Sequence, residues 1–482
     1  MYQSLTLIHY VSHAFGQRYE LPIPLFLFIF GGAAIVFLTF LFILPTKVKK
    51  QKKDVATDEN QITDKPIKVP FAIASIILLT LLILTGIFGS QEVAENIVPT
   101  LMWLVIWIAV PLSCGVIGDW TATINPYANI SKIFGSPKLR RAVLGRSEPL
   151  TWPTWLGWWP SVLLFFVIAC GELIFNQTAT VPAVTAWALI VYAIVCAFFA
   201  LIYGSNWLTR GEIFSVLFAT WGKLGYFRFG EAGIRGFAGG LVVPFEASVS
   251  RISFVLLLLI SVSFDGLLST PLWSHFEHKL PVAFIPGTKD YEMLAVAVFL
   301  LLALAIWLVF FGFAYAVRIA GKFHDSQLKT LAGLLPSLLP ISFGYLLAHN
   351  IEYLIANGQL LFPLIGNPIG KESWPLHLPN PFNDSFEPNP HLLPSAFFWY
   401  LAVAVIVIVH IIAVVIAHRH LSNTSKNKSL ARRAEYPWIA AMVFYTMLSL
   451  WLLAQPLVKE KSADPESKPA AVIMQQNINK DS

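Results

Sequence analysis

His349 and Glu352 stand three residues apart in Ala348-His349-Asn350-Ile351-Glu352, with Tyr345 one turn earlier. On a helix this spacing sets an imidazole and a carboxylate on one face, within reach of a single ion, and the phenol can orient a ligand or a water. A mutually satisfied polar pair is the plainer explanation of such a pattern. Here, however, it falls inside an apolar run long enough to cross a bilayer, where an ionisable side chain is costly unless paired or wet. Few other residues meet that condition. Asp265 follows Ser263-Phe264, Glu172 follows Cys170-Gly171, and His410 lies mid-run, where it must bond across helices, ligate a metal or relay a proton.

Further candidates stand at the ends of apolar runs. His418-Arg419-His420 closes the run that holds His410, and cations there suit both a helix C-terminus and a basic membrane face. His275, Glu277 and His278 cluster in a connection; H-x-E-H can bind a metal, although loop histidines are commonly solvated. His13, Arg18 and Glu20 precede the first run. A tail so placed can fold over the mouth of a bundle and bring His13 towards His349 and Glu352, or lie loosely at the interface. Asp119-Trp120, Asn125-Pro126-Tyr127 and Asn206-Trp207 with Arg210 and Glu212 read as an interfacial aromatic belt. The chain has no G-x-S-x-G elbow, H-E-x-x-H pair or G-x-x-x-x-G-K-[ST] loop, so a serine triad and a phosphate cradle are unsupported.

The elements that must position these groups are membrane helices. Of the 482 residues 56% are hydrophobic and 12% charged, about half the charge of a soluble protein. A window of about twenty residues finds ten spans, at 22–45, 70–89, 97–117, 153–176, 181–203, 252–271, 292–317, 332–356, 396–418 and 437–458. Internal Pro and Gly are tolerated in such spans, and the lack of short alternating segments excludes a barrel. The expected fold is all-α, a polytopic bundle of about ten transmembrane helices over residues 22–458, with tails at 1–21 and 459–482, the latter charged and disordered. The connections 46–69, 118–152, 204–251, 318–331 and 419–436 hold 25 of the 33 Lys and Arg, so they are expected inside and both termini outside. Loop 204–251, with Gly230, Gly233, Gly236 and Gly239, reads as a surface-lying amphipathic segment with a hinge; loop 361–395, rich in Pro and Asn, reads as an ordered but irregular outer cap. The first 21 residues lack a Lys/Arg-rich n-region, so the first span is expected to be retained.

A net charge of +6 parcelled between apolar runs reports topology and argues against a nucleic-acid partner. Cys114, Cys170 and Cys196 all fall in apolar runs without C-x-x-C spacing, which predicts neither a disulfide framework nor a cysteine metal site. The expected partners are the lipid bilayer and a lipophilic small molecule, with no obligate protein partner. There is no clear internal repeat, which disfavours transporter folds built on duplicated halves.

The opening His13-Ala14-Phe15-Gly16-Gln17-Arg18-Tyr19-Glu20-Leu21-Pro22-Ile23-Pro24 resembles the start of the bacterial multi-pass membrane proteins known as fenitrothion hydrolases. Similar features recur at Val262-Ser263-Phe264-Asp265-Gly266-Leu267, at Tyr345 with Ala348-His349, at His410 with Ala417-His418, and from Tyr445-Thr446 to Ala454-Gln455-Pro456. The resemblance implies a hydrolase of the bacterial inner membrane that splits the aryl-oxygen-phosphorus linkage of an organophosphorus triester. Such a substrate partitions into lipid, and a divalent metal would activate water and neutralise the phosphoryl oxygen. His13, His349, Glu352 and Asp265 are then the metal ligands or bases to expect, His410 a proton relay and Tyr345 an orienting donor. Two other classes remain open. A transporter or channel would use the same Asp, Glu and His as a path, and a membrane electron carrier would ligate haem through His349 and His410.

Overall fold

Backbone groups in hydrocarbon have no water to bond, so apolar runs must satisfy them internally, and a helix does this within one segment. The computed structural model describes residues 25–43, 68–229, 236–268, 270–281, 284–389, 392–425 and 427–454, and among them it is all-helical without a strand. The helices are α1 (Leu25–Ile43), α2 (Val69–Phe88), α3 (Ile97–Ile117), α4 (Pro126–Phe134), α5 (Pro137–Leu144), α6 (Trp159–Leu173), α7 (Pro182–Tyr203) and α8 (Ser205–Arg210). They continue with α9 (Ile213–Gly222), α10 (Val249–Leu268), α11 (Pro271–Glu277), α12 (Lys289–Gly321), α13 (Gln327–Gly358), α14 (Leu361–Gly366), α15 (Ser395–Thr424) and α16 (Lys428–Ala454). Seven are long and apolar enough to cross a bilayer: α2, α3, α7, α10, α12, α13 and α15. Helices α1, α6 and α16 cover the other three expected spans. The expected tails, and His13 with them, lie outside the described residues.

Two helices form the centre. α10 and α13 are buried on most of their surface, as helices apolar all round must be, whereas α12 turns Leu300, Leu301, Leu304 and Leu308 outward. Pro336 and Pro340 each remove a backbone donor from α13, and its first third tightens into a 3-10 turn at Leu335–Ser337. The described parts of the connections 118–152 and 204–251 are tied to the ends of the helices beside them. The Arg140 guanidinium donates to the carbonyls of Leu201, Ser147, Gly135 and Ala200, closing the C-terminus of α7, and the amides of Tyr226 and Phe227 bond to Val116 and Ile117 at the end of α3.

Within loop 204–251, residues 213–222 are not surface-lying, and Gly230 and Gly233 of the expected hinge lie outside the described residues. The loop contains α9, a helix buried on nearly every side against α3 and α6. Its ten residues rise about 15 Å, too short for a window tuned to full spans, and its sequence Ile-Phe-Ser-Val-Leu-Phe-Ala-Thr-Trp-Gly is apolar all round rather than amphipathic. Glu212 caps α9 and is fully buried. Its carboxylate accepts from the amides of Phe214 and Ser215, from the Tyr192 hydroxyl at 2.7 Å and from Asn125 Nδ2 at 2.9 Å. Much of the expected aromatic belt is therefore interior: Trp207 is buried, and Tyr127 stacks on Phe214 at 5.5 Å between ring centroids.

At the end of the bundle opposite these connections, the described part of 361–395 holds α14 and a stretch without regular structure. Ser90 and Ile97 donate their amides to Ile369 and Pro368, and the Gln359 side chain makes two bonds to the backbone of Asn389. That end also holds the site.

Candidate functional site

The central helices bring together two of the expected residues. Nε2 of His349 on α13 lies 2.6 Å from Oδ2 of Asp265 on α10, with 8% and 32% of the respective side chains exposed. Tyr345 stacks one turn below, its ring 6.5 Å from the imidazole and inclined by 20°. The phenol oxygen lies against Gly266, where a Cβ would come within 2.8 Å of it, so only a glycine after Asp265 admits that hydroxyl.

A third ionisable group joins them. Glu172, in the last turn of α6, is close enough to interact electrostatically with both Asp265 and His349, and it accepts a hydrogen bond from the Trp107 indole. Trp107 reaches it because α3 is a π-helix from Thr100 to Ala109, with the Val110 amide bonding to Val105. Pro111 supplies the physical reason. It has no N–H for the Trp107 carbonyl four residues back, and its ring crowds that carbonyl, a conflict that a widened turn relieves. Trp103, on the same widened stretch, covers Gly171, its ring 3.3 Å from the position a Cβ would take.

Asp265, Glu172 and Trp107 border a cavity of about 40 Å³ lined from α3, α6, α9, α10 and α13. Trp107, Glu172, Trp221, Ser261, Asp265 and Asn350 line it together with aliphatic side chains. That volume admits about three waters.

The other expected site residues are placed elsewhere. Glu352 is half-buried and, among the described residues, makes no hydrogen bond or ion pair. His410 is buried on α15, its Nδ1 2.7 Å from the Ile406 carbonyl and its Nε2 without a partner, and none of its described contacts reaches the Asp265–His349 pair. His13 lies outside the described residues. Among the described residues no three His, Cys, Asp or Glu side chains converge to hold an ion. Asp265 faces the histidine nitrogen itself at 2.6 Å, and Glu352 makes no described hydrogen bond or ion pair with either. His275 and His278 are exposed, while Glu277 accepts from the Tyr291 hydroxyl. His418 is not a surface cation but a buried partner of Glu435. Trp107 and Ser261 carry no charge and were not visible to a search for ionisable groups; the Pro111 that bends Trp107 into place was the available signal.

No family model, no curated protein and no solved structure matches the chain.

Proposed function

We propose that the protein is a membrane-embedded hydrolase of lipophilic organophosphorus triesters of the fenitrothion type, with His349 as the base that takes a proton from the attacking water. The reading rests on one observation, the His349–Asp265 contact of 2.6 Å beside a cavity of about 40 Å³. The cavity has room for the nucleophile and not for a triester, which suits a substrate delivered from the bilayer with its phosphorus presented at the mouth. The oxygen of water bonds to phosphorus, the phosphorus–aryloxide bond breaks, the nitrophenolate leaves with the bonding electrons, and the proton passes to His349. Asp265 orients the imidazole and compensates the charge that develops on it. Glu172 lines the same cavity and can exchange a proton with a water held there, and Tyr345 stacks beside the imidazole.

The distribution of Lys and Arg favours a reading with the pair in the extracytoplasmic half of a ten-span bundle and both termini outside, and the family resemblance favours a bacterial inner membrane. The test is nitrophenol release by washed membranes that contain the wild-type chain or His349→Gln at equal protein level. Release lost in the variant supports the reading. Absence of release from the wild type, with solute or proton flux in vesicles, would replace it by the transporter, and a haem absorption spectrum by the electron carrier.

A further inference from the structure

Two buried carboxylates in this bundle are treated in opposite ways. Glu212 accepts four hydrogen bonds, so both of its oxygens are met and it serves as structure. Glu435 on α16 has one partner: its Oε1 lies 3.0 Å from Nδ1 of His418 on α15, with 2% and 5% of the respective side chains exposed. Its Oε2 and the Nε2 of His418 are buried and, among the described residues, make no hydrogen bond. Every assignment of protons to the pair leaves an outer atom wanting a partner. With Glu435 ionised, Oε2 is an unmet acceptor; with the proton on the carboxyl, His418 Nε2 is an unmet donor or acceptor. A pair that served packing alone would be closed on itself, since an unmet buried polar atom costs about 1–3 kcal/mol.

The pair lies near the Lys/Arg-rich end, six residues before the end of α15 and seven after the start of α16. Two turns further into the bundle on α15 stands His410, again with Nδ1 closed by a carbonyl and Nε2 open. The other charged groups on the packed elements are engaged or turned away. Arg419, Arg432 and Arg433 are exposed, Lys329 holds Asp325 at 2.7 Å, Arg251 stacks on Trp158 at 4.1 Å, and Arg318 of α12 lies over the Tyr315 ring, its Nε buried and without a described hydrogen bond. His420 packs on Gly333, and on the far half of α10 and α13 Asp265 and His349 hold each other.

We propose that His418 and Glu435 form a proton-binding site of the bundle, filled from the Lys/Arg-rich side, with His410 the next acceptor towards the midplane. The site is separate from the His349–Asp265 pair, and it stands whether or not the hydrolase reading does. The test is infrared difference spectroscopy of the purified full chain in lipid between mildly acidic and mildly alkaline buffer. A protonated-carboxyl band is expected in the wild type, absent from Glu435→Gln, moved but present in Glu435→Asp, and shifted along the pH axis in His418→Gln. Circular dichroism of each variant checks that the helices are kept. A carboxyl band unchanged in both Glu435 variants, or no band in the wild type, overturns the proposal.

Discussion

Replacing Asp265 by Asn asks how much the charge beside His349 is worth. The amide oxygen can still accept from the imidazole N–H, so the ring stays oriented, but nothing compensates the imidazolium that forms as water is deprotonated. An exposed ion pair contributes about 0.2–1 kcal/mol and a buried one costs about 3–5 kcal/mol to break. Asp265 is one-third exposed and His349 almost fully buried, so the pair falls between those limits. A loss of about 2 kcal/mol corresponds to about thirtyfold in rate at 1.36 kcal/mol per decade. The assay is the initial rate of nitrophenol release by washed membranes across a range of substrate, with the amount of protein in the membrane measured alongside. The expected outcome is kcat/KM lowered about thirtyfold in Asp265→Asn, lower still in His349→Gln, and within about twofold of wild type in Glu352→Gln, whose carboxylate has no described hydrogen bond or ion pair to lose. Wild-type rates in Asp265→Asn would refute the reasoning, and so would a greater loss in Glu352→Gln.

Gly266→Ala places a methyl 2.8 Å from the Tyr345 hydroxyl, so it is expected to displace that ring and to slow nitrophenol release while the melting temperature falls only slightly. Gly344→Ala meets Val409 at 2.4 Å where α13 and α15 touch; overpacking of this kind costs about 1–3 kcal/mol, and a lowered melting temperature in detergent checks it. Glu212→Ala strands the Tyr192 hydroxyl, the Asn125 amide and two backbone donors at once. It is expected to destabilise by about 3 kcal/mol or more and to reduce the yield of monodisperse protein on size exclusion. A chelator is expected to leave nitrophenol release intact, because the base mechanism uses His349 and Asp265 as a pair; loss of activity that zinc restores would mean that His13 joins them around an ion.

Much of the helical architecture was readable, since hydrocarbon length and the demand for internal backbone bonding leave little choice to a run of twenty apolar residues. The site was readable in part. His349 and Asp265 stood out because an ionisable group in an apolar run is conspicuous, yet the H-x-x-E spacing pointed His349 at Glu352, its neighbour on the same helix, when its partner stands on α10. Periodicity ranks neighbours within a helix and is blind to those across an interface. Glu212 and Glu435 were obscured for a related reason. Each lies next to charged, loop-like sequence, so a composition window assigns it to solvent, while tertiary packing buries it at a helix contact. α9 was missed because ten apolar residues are too few to span and too uniform to show an amphipathic face.

The two His–acid pairs clarify each other. The Asp265–His349 pair adjoins Glu172, so three ionisable side chains share one apolar neighbourhood, which mutual repulsion and desolvation would oppose unless something held them there. The bundle supplies that hold through features with local costs of their own: a π-helix that aims Trp107 at Glu172, a glycine that lets Tyr345 approach, and a cavity that admits water. The Glu435–His418 pair lacks such a setting, for no indole or amide meets its outer oxygen. Water beside reacting groups suits chemistry at the first pair, whereas a sealed pair with open atoms suits holding and releasing a proton. Well-packed apolar residues in place of a buried ion pair are often as stable or more so, which makes stability alone a weak account of either pair.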